Sequence, residues 1–391
     1  MAIPLAYPVR SLLVRKWTSV FTAGGVALVV TATVLLLTLV GGLQRMLASS
    51  GEPNNVVVLR KGSTNDGVSQ VTRDAALALR TMPGVARRAD GEPLASFELV
   101  NQPFMITRGG GREIVLIRGV EPVAFDVHRA AHLVQGRMFR PHVGEVVVGV
   151  GVRGRYVGAS LGGEIEFGRR TWKVVGVFDS GGKAFDSEIW ADVADVQDDT
   201  RRSNYSGVRL TLDRGTDFGT LKQRIEGDGR FTLEAKPETD YYREQADTTQ
   251  TLYVLVVTLA VIMAIGAVFG ALNTMYAAVA SRTAEIGTLR ALGFGRGAIL
   301  RSFLGESLVL AGAGFLAGSA LAALGVLAVN TLLSGVQFSM MTFSVATVLL
   351  HLTPGSLLAG FVIAGLIGLV GGLAPAWRAA RLRVVDALHR A

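Results

Sequence analysis

Several groups in this 391-residue chain have the types and spacing of reactive sites. Gly149-Val-Gly-Val-Arg-Gly154 matches the G-x-G-x-x-G of a dinucleotide-binding turn, where glycine lets the backbone approach a pyrophosphate. It lacks a convincing strand-helix-strand setting and reads instead as a strand-to-helix turn. His128 and His132 lie four residues apart with His142 close by, a spacing that could hold a divalent metal. No His-Glu-x-x-His accompanies them and no carboxylate obviously converges, so exposed loop or helix histidines are expected and no metal site is assigned. No nucleophile elbow, paired-carboxylate pattern or zinc motif marks a hydrolase. The sequence also has no G-x-x-x-x-G-K-[ST], so any energy it uses is expected to come from another polypeptide.

The most defined cluster is of a different kind. Arg282, Glu285, Arg290, Arg296 and Arg301 follow at once on an uncharged run, residues 248–281. In a helix over about 283–292, Ile286, Leu289 and Arg290 share a face, with Glu285 and Leu292 beside it. Such a short amphipathic helix suits a groove in a soluble partner, with Leu and Ile as anchors and Glu285 and Arg290 fixing orientation. The same residues fit a helix lying on the membrane with Arg282 and Arg290 near lipid phosphates, and composition alone does not separate the two. Gly293 and Gly295 are expected to end the helix.

Apolar helices must position this segment. The 34 residues of 248–281 would form a helix about 51 Å long against roughly 30 Å of hydrocarbon, so one end must project into water. Residues 17–44, 307–333 and 355–377, the last with Pro375 near its end, supply three further spans. The first is too long for the apolar core of a signal peptide and is read as an anchor. No Asp, Glu, Lys or Arg lies at the centre of a span, and Glu306 sits at the mouth of the third, which disfavours an ion-coupled carrier. Glycines at four-residue spacing, Gly266 with Gly270, Gly314 with Gly318 and Gly368 with Gly372, point to a tightly packed bundle and a dimer.

Residues 45–247 carry 28 basic and 28 acidic side chains, are broken by Gly and Pro, and must form a folded aqueous domain. The other 11 basic and 3 acidic residues lie at 1–16, 282–306 and 378–391 and account for the whole formal charge of +8. The positive-inside rule makes these the cytoplasmic faces rather than a nucleic-acid patch, with 45–247 and the loop 334–354 outside. With no cysteine, the outer domain is held by an ordinary core. Runs at 55–60, 104–108, 113–118, 145–150, 163–167, 172–178 and 208–212 predict strands in hairpins, with 108–112 as one turn. Helices are expected at 72–81 and 218–226, and a helical signal from Glu238 leads into the second span as a stalk.

Residues 273–293 resemble the second-span and coupling-loop signature of FtsX-like, MacB-type ABC transporter permeases. Residues 371–388 are similar to that family's fourth-span exit and tail, and 135–139, 144–148 and 172–178 to its extracytoplasmic domain. The resemblance covers essentially the whole chain. It implies an α-helical membrane protein of the bacterial inner membrane with four transmembrane helices in a 1+3 arrangement. A mixed α+β extracytoplasmic domain would lie between spans 1 and 2, the type VII ABC permease architecture. It further implies a homo- or heterodimer driven by two copies of a separate ABC ATPase that binds ATP and Mg, with no cofactor in this chain. ATPase coupling would fall to Glu285, Ile286, Leu289, Arg290, Leu292 and Gly293, with Arg378, Arg381 and Arg383 as a secondary ATPase or lipid contact. In the family, closure of the ATPase pair moves the cytoplasmic loop and the second-span stalk carries the movement outward, handling hydrophobic or lipidated cargo with a periplasmic adaptor or hydrolase as a further partner. The alternatives are a non-transporting member that activates an outer hydrolase, and a membrane-anchored enzyme or binding module. The start of the chain, where Pro4 and Pro8 shorten an expected helix over 5–16, departs from the family's usual opening, which is richer in Arg and poorer in Pro.

Overall fold

The computed structural model describes residues 16–247, 249–332, 336–340, 343–348 and 350–382. The expected helix over 5–16, Arg383 and the join at Thr248 between the expected stalk and the second span lie outside them. The chain opens with α1 (Lys16–Ala48). Next come β1 (Asn55–Arg60), α2 (Arg73–Arg80), β2 (Ala95–Asn101), β3 (Phe104–Ile106), β4 (Arg112–Ile114) and β5 (Leu116–Val120). Then follow α3 (Ala124–Val127), β6 (His132–Gly136), β7 (Glu145–Gly149), β8 (Glu164–Phe167) and β9 (Arg170–Asp179). A 3-10 turn, Ala184–Ser187, precedes β10 (Glu188–Asp192), α4 (Val193–Thr200), β11 (Gly207–Thr211), α5 (Phe218–Glu226), β12 (Leu233–Pro237) and α6 (Glu238–Asp247). Helices α7 (Gln250–Ser281), α8 (Thr283–Ala291) and α9 (Arg296–Leu332), strands β13 (Val336–Met340) and β14 (Phe343–Val348), and α10 (Pro354–Ala380) complete it. Two compact units result, a helical one of the described residues within 16–41, 250–332 and 350–382 and an α/β one of those within 42–249 and 336–348.

In the helical unit, α1, α7, α9 and α10 are each long and apolar enough to cross a membrane. Helix α10 starts sharply because Thr353 and Ser356 form a capping box and Pro354 fits the first turn. Glycine sets the closest approaches. A Cβ on Gly314 would stand 2.6 Å from Val26 Cβ and one on Gly318 2.6 Å from the Ala27 carbonyl oxygen, so α9 meets α1 nearly backbone to backbone. Gly368 and Gly372 likewise bring α10 onto Ala311 and Ser307 of α9, at 2.7 and 2.5 Å from a built Cβ. The Thr31 hydroxyl donates to Gly318 O at 3.0 Å and the Ser307 hydroxyl to Gly368 O at 2.7 Å across the same contacts. Gly266 and Gly270 of α7 differ, with nothing within 4 Å of a built Cβ among the described residues.

The sheet of the α/β unit runs β12-β1-β11-β2-β5-β10-β7-β9-β6, with β8 on β9. Consecutive strands pair at β3–β4, about the expected turn at 108–112, at β8–β9 and at β13–β14, while among the described residues long-range pairings replace the other hairpins expected from sequence. Two pairings, β5–β10 and β7–β9, are parallel. The strand-to-helix turn expected at Gly149 is a correction of the same kind, since β7 passes into turns and then β8. A Cβ on Gly149 would lie 2.2 Å from the Asp186 carbonyl, so this glycine admits the neighbouring 3-10 turn rather than a phosphate.

At the heart of the sheet lies charge. Arg118 of β5 grips Glu188 of β10 through two bonds of 2.6 and 2.7 Å and reaches Glu98 of β2 at 2.9 Å and Asp66 at 3.1 Å. Arg209 of β11 donates to Asp66 at 2.9 Å and to Glu98, and His128 Nε2 lies 2.7 Å from Glu98. All of these side chains are buried. Burial alone would raise the Glu98 carboxyl, yet Arg209, His128 and Arg118 hold it well below the usual carboxylate range, and Arg118 and Arg209 do the same for Asp66. The cluster extends to where the chain enters and leaves the sheet. The Asn55 side chain and the Glu52 backbone N–H each donate to Glu238, the first residue of α6, at 3.0 Å. Gly51 sits so close that a Cβ would lie 2.7 Å from the Glu238 carbonyl.

Two predictions follow from this packing and charge. Gly318→Leu should destabilise the helical unit by about 1–3 kcal/mol through overpacking against α1, whereas Gly270→Leu should change it by less than about 0.5 kcal/mol. Thermal unfolding of the purified chain in detergent reads both. A carboxyl whose folded pKa is depressed stabilises above its unfolded pKa, near 4, and that stability is lost as pH falls further. Stability of the α/β unit should therefore be flat from neutral pH to about 5 and decline below about 4. Glu98→Gln should remove about 3–5 kcal/mol at pH 7 and flatten the acid decline, monitored through the fluorescence of Trp190, which donates to Glu188 at 2.8 Å.

Candidate functional site

Three helices of the helical unit meet at Arg282. Its backbone links the end of α7 to the start of α8, and its guanidinium lies 2.8 Å from Glu306 of α9 and 2.9 Å from Glu285 of α8. The Phe303 ring sits 5.0 Å from the guanidinium carbon. Arg282 and Glu306 side chains are only 7% and 6% exposed, which makes this a buried pair, whereas Glu285 is 46% exposed. Removing one member of such a pair costs about 3–5 kcal/mol, because the other charge stays buried. Arg282 also occupies the N-cap of α8 without a side-chain cap hydrogen bond, a place where Ser, Thr, Asp or Asn would satisfy the backbone.

Ile286 is buried in a pocket that includes Met275 and Val279 of α7, Ile299 and Phe303 of α9, and Ala376 and Ala379 of α10. Leu289 packs partly against the same cluster, and Arg290 is half-buried, its Nε without a hydrogen-bond partner among the described residues. The shared face of Ile286 and Leu289 thus turns into the helical unit, and the exposed residues include Glu285 and Thr288 of α8 and Leu292 at its C-cap, at i, i+3 and i+7. Leu292 is 66% exposed.

The end of α8 has a specific geometry. Gly293 adopts φ +93°, its N–H bonds Arg290 O at 3.1 Å and the Phe294 N–H bonds Leu289 O at 3.2 Å. This is a Schellman motif, and the left-handed residue it requires is the glycine. Arg378 and Arg381 are exposed near the end of α10 and lie over the Tyr276 and Trp377 rings at 5.8 and 4.9 Å.

The histidines do not gather, and their expected exposure is corrected for one of them. His128 is fully buried in the charge cluster of the sheet, His132 lies on the edge strand β6, and His142 is 3.6 Å from Asp192. His142, Asp192 and Asp195 bring ligand-type atoms within 4.8 Å of one another. Asp195 is already bonded to Arg170 at 2.9 Å and to the Gly144 N–H at 3.0 Å, which leaves it poorly disposed toward a cation. The pairing of Arg282 with Glu306, 24 residues apart, was not anticipated from sequence. The signal was Glu306 itself, the lone carboxylate of α9, at the edge of a long uncharged stretch where a charge favours a partner.

Comparison with known proteins covers both units. Residues 19–228 match the MacB-like periplasmic core domain and residues 257–384 the FtsX-like permease C-terminal domain. The macrolide export ATP-binding/permease protein MacB of Bdellovibrio bacteriovorus is 26% identical over 415 residues, which is 97% of this chain and 60% of that protein. Its namesake from Vibrio parahaemolyticus is 26% identical over 403 residues, 94% of this chain and 56% of that one. The chain thus spans less than two thirds of the length of these relatives. The crystal structure of the periplasmic region of MacB from Actinobacillus actinomycetemcomitans covers 51% of this chain and 95% of that one at 12% identity, with a TM-score of 0.39. With four apolar helices, a MacB-like periplasmic core domain and an FtsX-like permease domain, this chain belongs to the MacB/FtsX-type family of ABC transporter permeases.

Proposed function

We propose that this chain is the permease subunit of an ABC system of the bacterial inner membrane, driven by a separate ATPase that docks on α8. Both termini and α8 are cytoplasmic in this reading, and the α/β unit lies outside. ATP and Mg are held by the ATPase, and the movement it imposes on α8 travels along α7 to the α/β unit. Two permease copies and two ATPase copies form the working assembly, with α7 available as a helix-packing surface because Gly266 and Gly270 are uncovered within one copy. The relatives are named for macrolide export, and hydrophobic or lipidated cargo taken at the outer face fits a bundle that lacks ionisable residues at the centre of its spans.

The observation that carries this reading is the exposed stripe Glu285, Thr288 and Leu292 on a helix whose opposite face is locked into its own bundle. A helix held that firmly can pass force on, and its outer face offers an apolar anchor beside a charge. Arg290, half-buried, borders the stripe, and Arg378 and Arg381 supply a basic margin suited to the ATPase or to lipid phosphates.

Leu292→Asp should weaken ATPase association by roughly 30-fold, the effect of losing an anchor worth about 2 kcal/mol, with unchanged thermal stability. Adding Glu285→Lys should abolish it. The measurement is co-purification in mild detergent followed by titration of the recovered P-loop ATPase. Undiminished association in the double variant would contradict the docking surface.

A further inference from the structure

Arg282 breaks a local rule at a junction, and the break has a use. A helix N-cap favours a short acceptor, yet α8 begins on a long cation that makes no cap bond and spends its charge on Glu306 across the bundle. The placement suits the helix before it, since a cation at the end of α7 faces the negative end of that helix's dipole. Glu306 in turn is buried on α9, where an opposite charge offsets the cost of taking a carboxylate out of water. Phe303, one turn earlier on α9, lies against both the Arg282 guanidinium and the pocket that takes Ile286. One side chain therefore ties the end of α7, the start of α8 and the body of α9 at a single point, and an apolar seat one turn along α8 fixes the angle.

We propose that the Arg282–Glu306 pair is the pivot of the coupling helix: it seats α8 on α9, so that a push on the exposed face of α8 is delivered to the third span as well as to the second. Arg282 and Glu306 are positioning residues in this scheme and touch neither ATPase nor cargo. The scheme rests on the docking reading for the source of the push, but the seating itself is a property of this chain alone. Loss of Glu306 takes the 2.8 Å bond to α9 from Arg282, and α8 then rotates out about the backbone at Arg282, withdrawing Ile286 from its pocket.

The chain has no cysteine, so a single one introduced at Ile286→Cys reports this seating directly through its rate of maleimide labelling in membranes. We expect slow labelling with the pair intact, labelling faster by at least about tenfold with Glu306→Gln, and protection regained with the exchange Arg282→Glu and Glu306→Arg. A merely space-filling role would respond to Glu306→Gln weakly and would gain nothing from the exchange. In the same preparations Glu306→Gln should retain the co-purified ATPase and its ATP turnover while losing any nucleotide-dependent change in labelling. Equal protection of the cysteine in the Glu306→Gln and parent backgrounds, or rapid labelling in the parent itself, would overturn the pivot. Failure of any ATPase to co-purify with the parent would instead strike the docking reading, with the labelling comparison still deciding the pivot.

Discussion

Charge has to be paired wherever water is excluded, and this constraint organises both units of the chain. In the helical unit it leaves long stretches without an ionisable residue and sets buried Glu306 against Arg282. In the α/β unit it gathers Arg118, Arg209 and His128 with Asp66, Glu98, Glu188 and Glu238 into one buried network. A network of this kind contributes less to net stability than an apolar core of the same volume would, because desolvation offsets much of the attraction. What it supplies is connection. Strands β2, β5, β10 and β11 contribute a member each, and Glu238 binds the residues through which the chain comes into the sheet. The start of α6 is thereby tied through side chains to four strands of the sheet.

The helical unit solves the same problem with fewer charges and more glycine. Close contacts at Gly314, Gly318, Gly368 and Gly372 hold α1, α9 and α10 together, and hydroxyls of Thr31 and Ser307 add bonds across them. Helix α7 is the less buried of the apolar helices, with its own glycine pair uncovered. That arrangement leaves much of α7 uncovered beside a packed platform, while Met275 and Val279 near its end join the buried cluster around α8. The proposed coupling depends on this contrast in packing.

Much of this was legible in the sequence, because period and charge report on solvent. Uninterrupted apolar runs marked the four long helices, and turn residues bounded β1, β7 and β11 correctly within a residue or two. Strands β2 and β10 escaped because their buried faces carry Glu98 and Glu188, which read as exposed until their arginine partners, distant in sequence, are known. The sheet order was hidden for the same reason, since long-range pairings leave no local mark. In the coupling segment the elements were anticipated and Gly293 ends α8 as expected, but Ile286 proved to face inward. Helical spacing says which residues share a face. It does not say whether that face meets a partner or the chain's own bundle, and here the residues that settled it, Phe303 and Ala376, lie on other helices.

The central claim is that an ATPase presses on the outer face of α8, and a photo-crosslinking amino acid at Leu292, irradiated in the membranes of the producing cell, tests it most directly. The account predicts a crosslink from this position to a P-loop ATPase. Crosslinks confined to lipid, or to no protein with a nucleotide-binding fold, would contradict it and leave α8 as a helix that lies on the membrane surface.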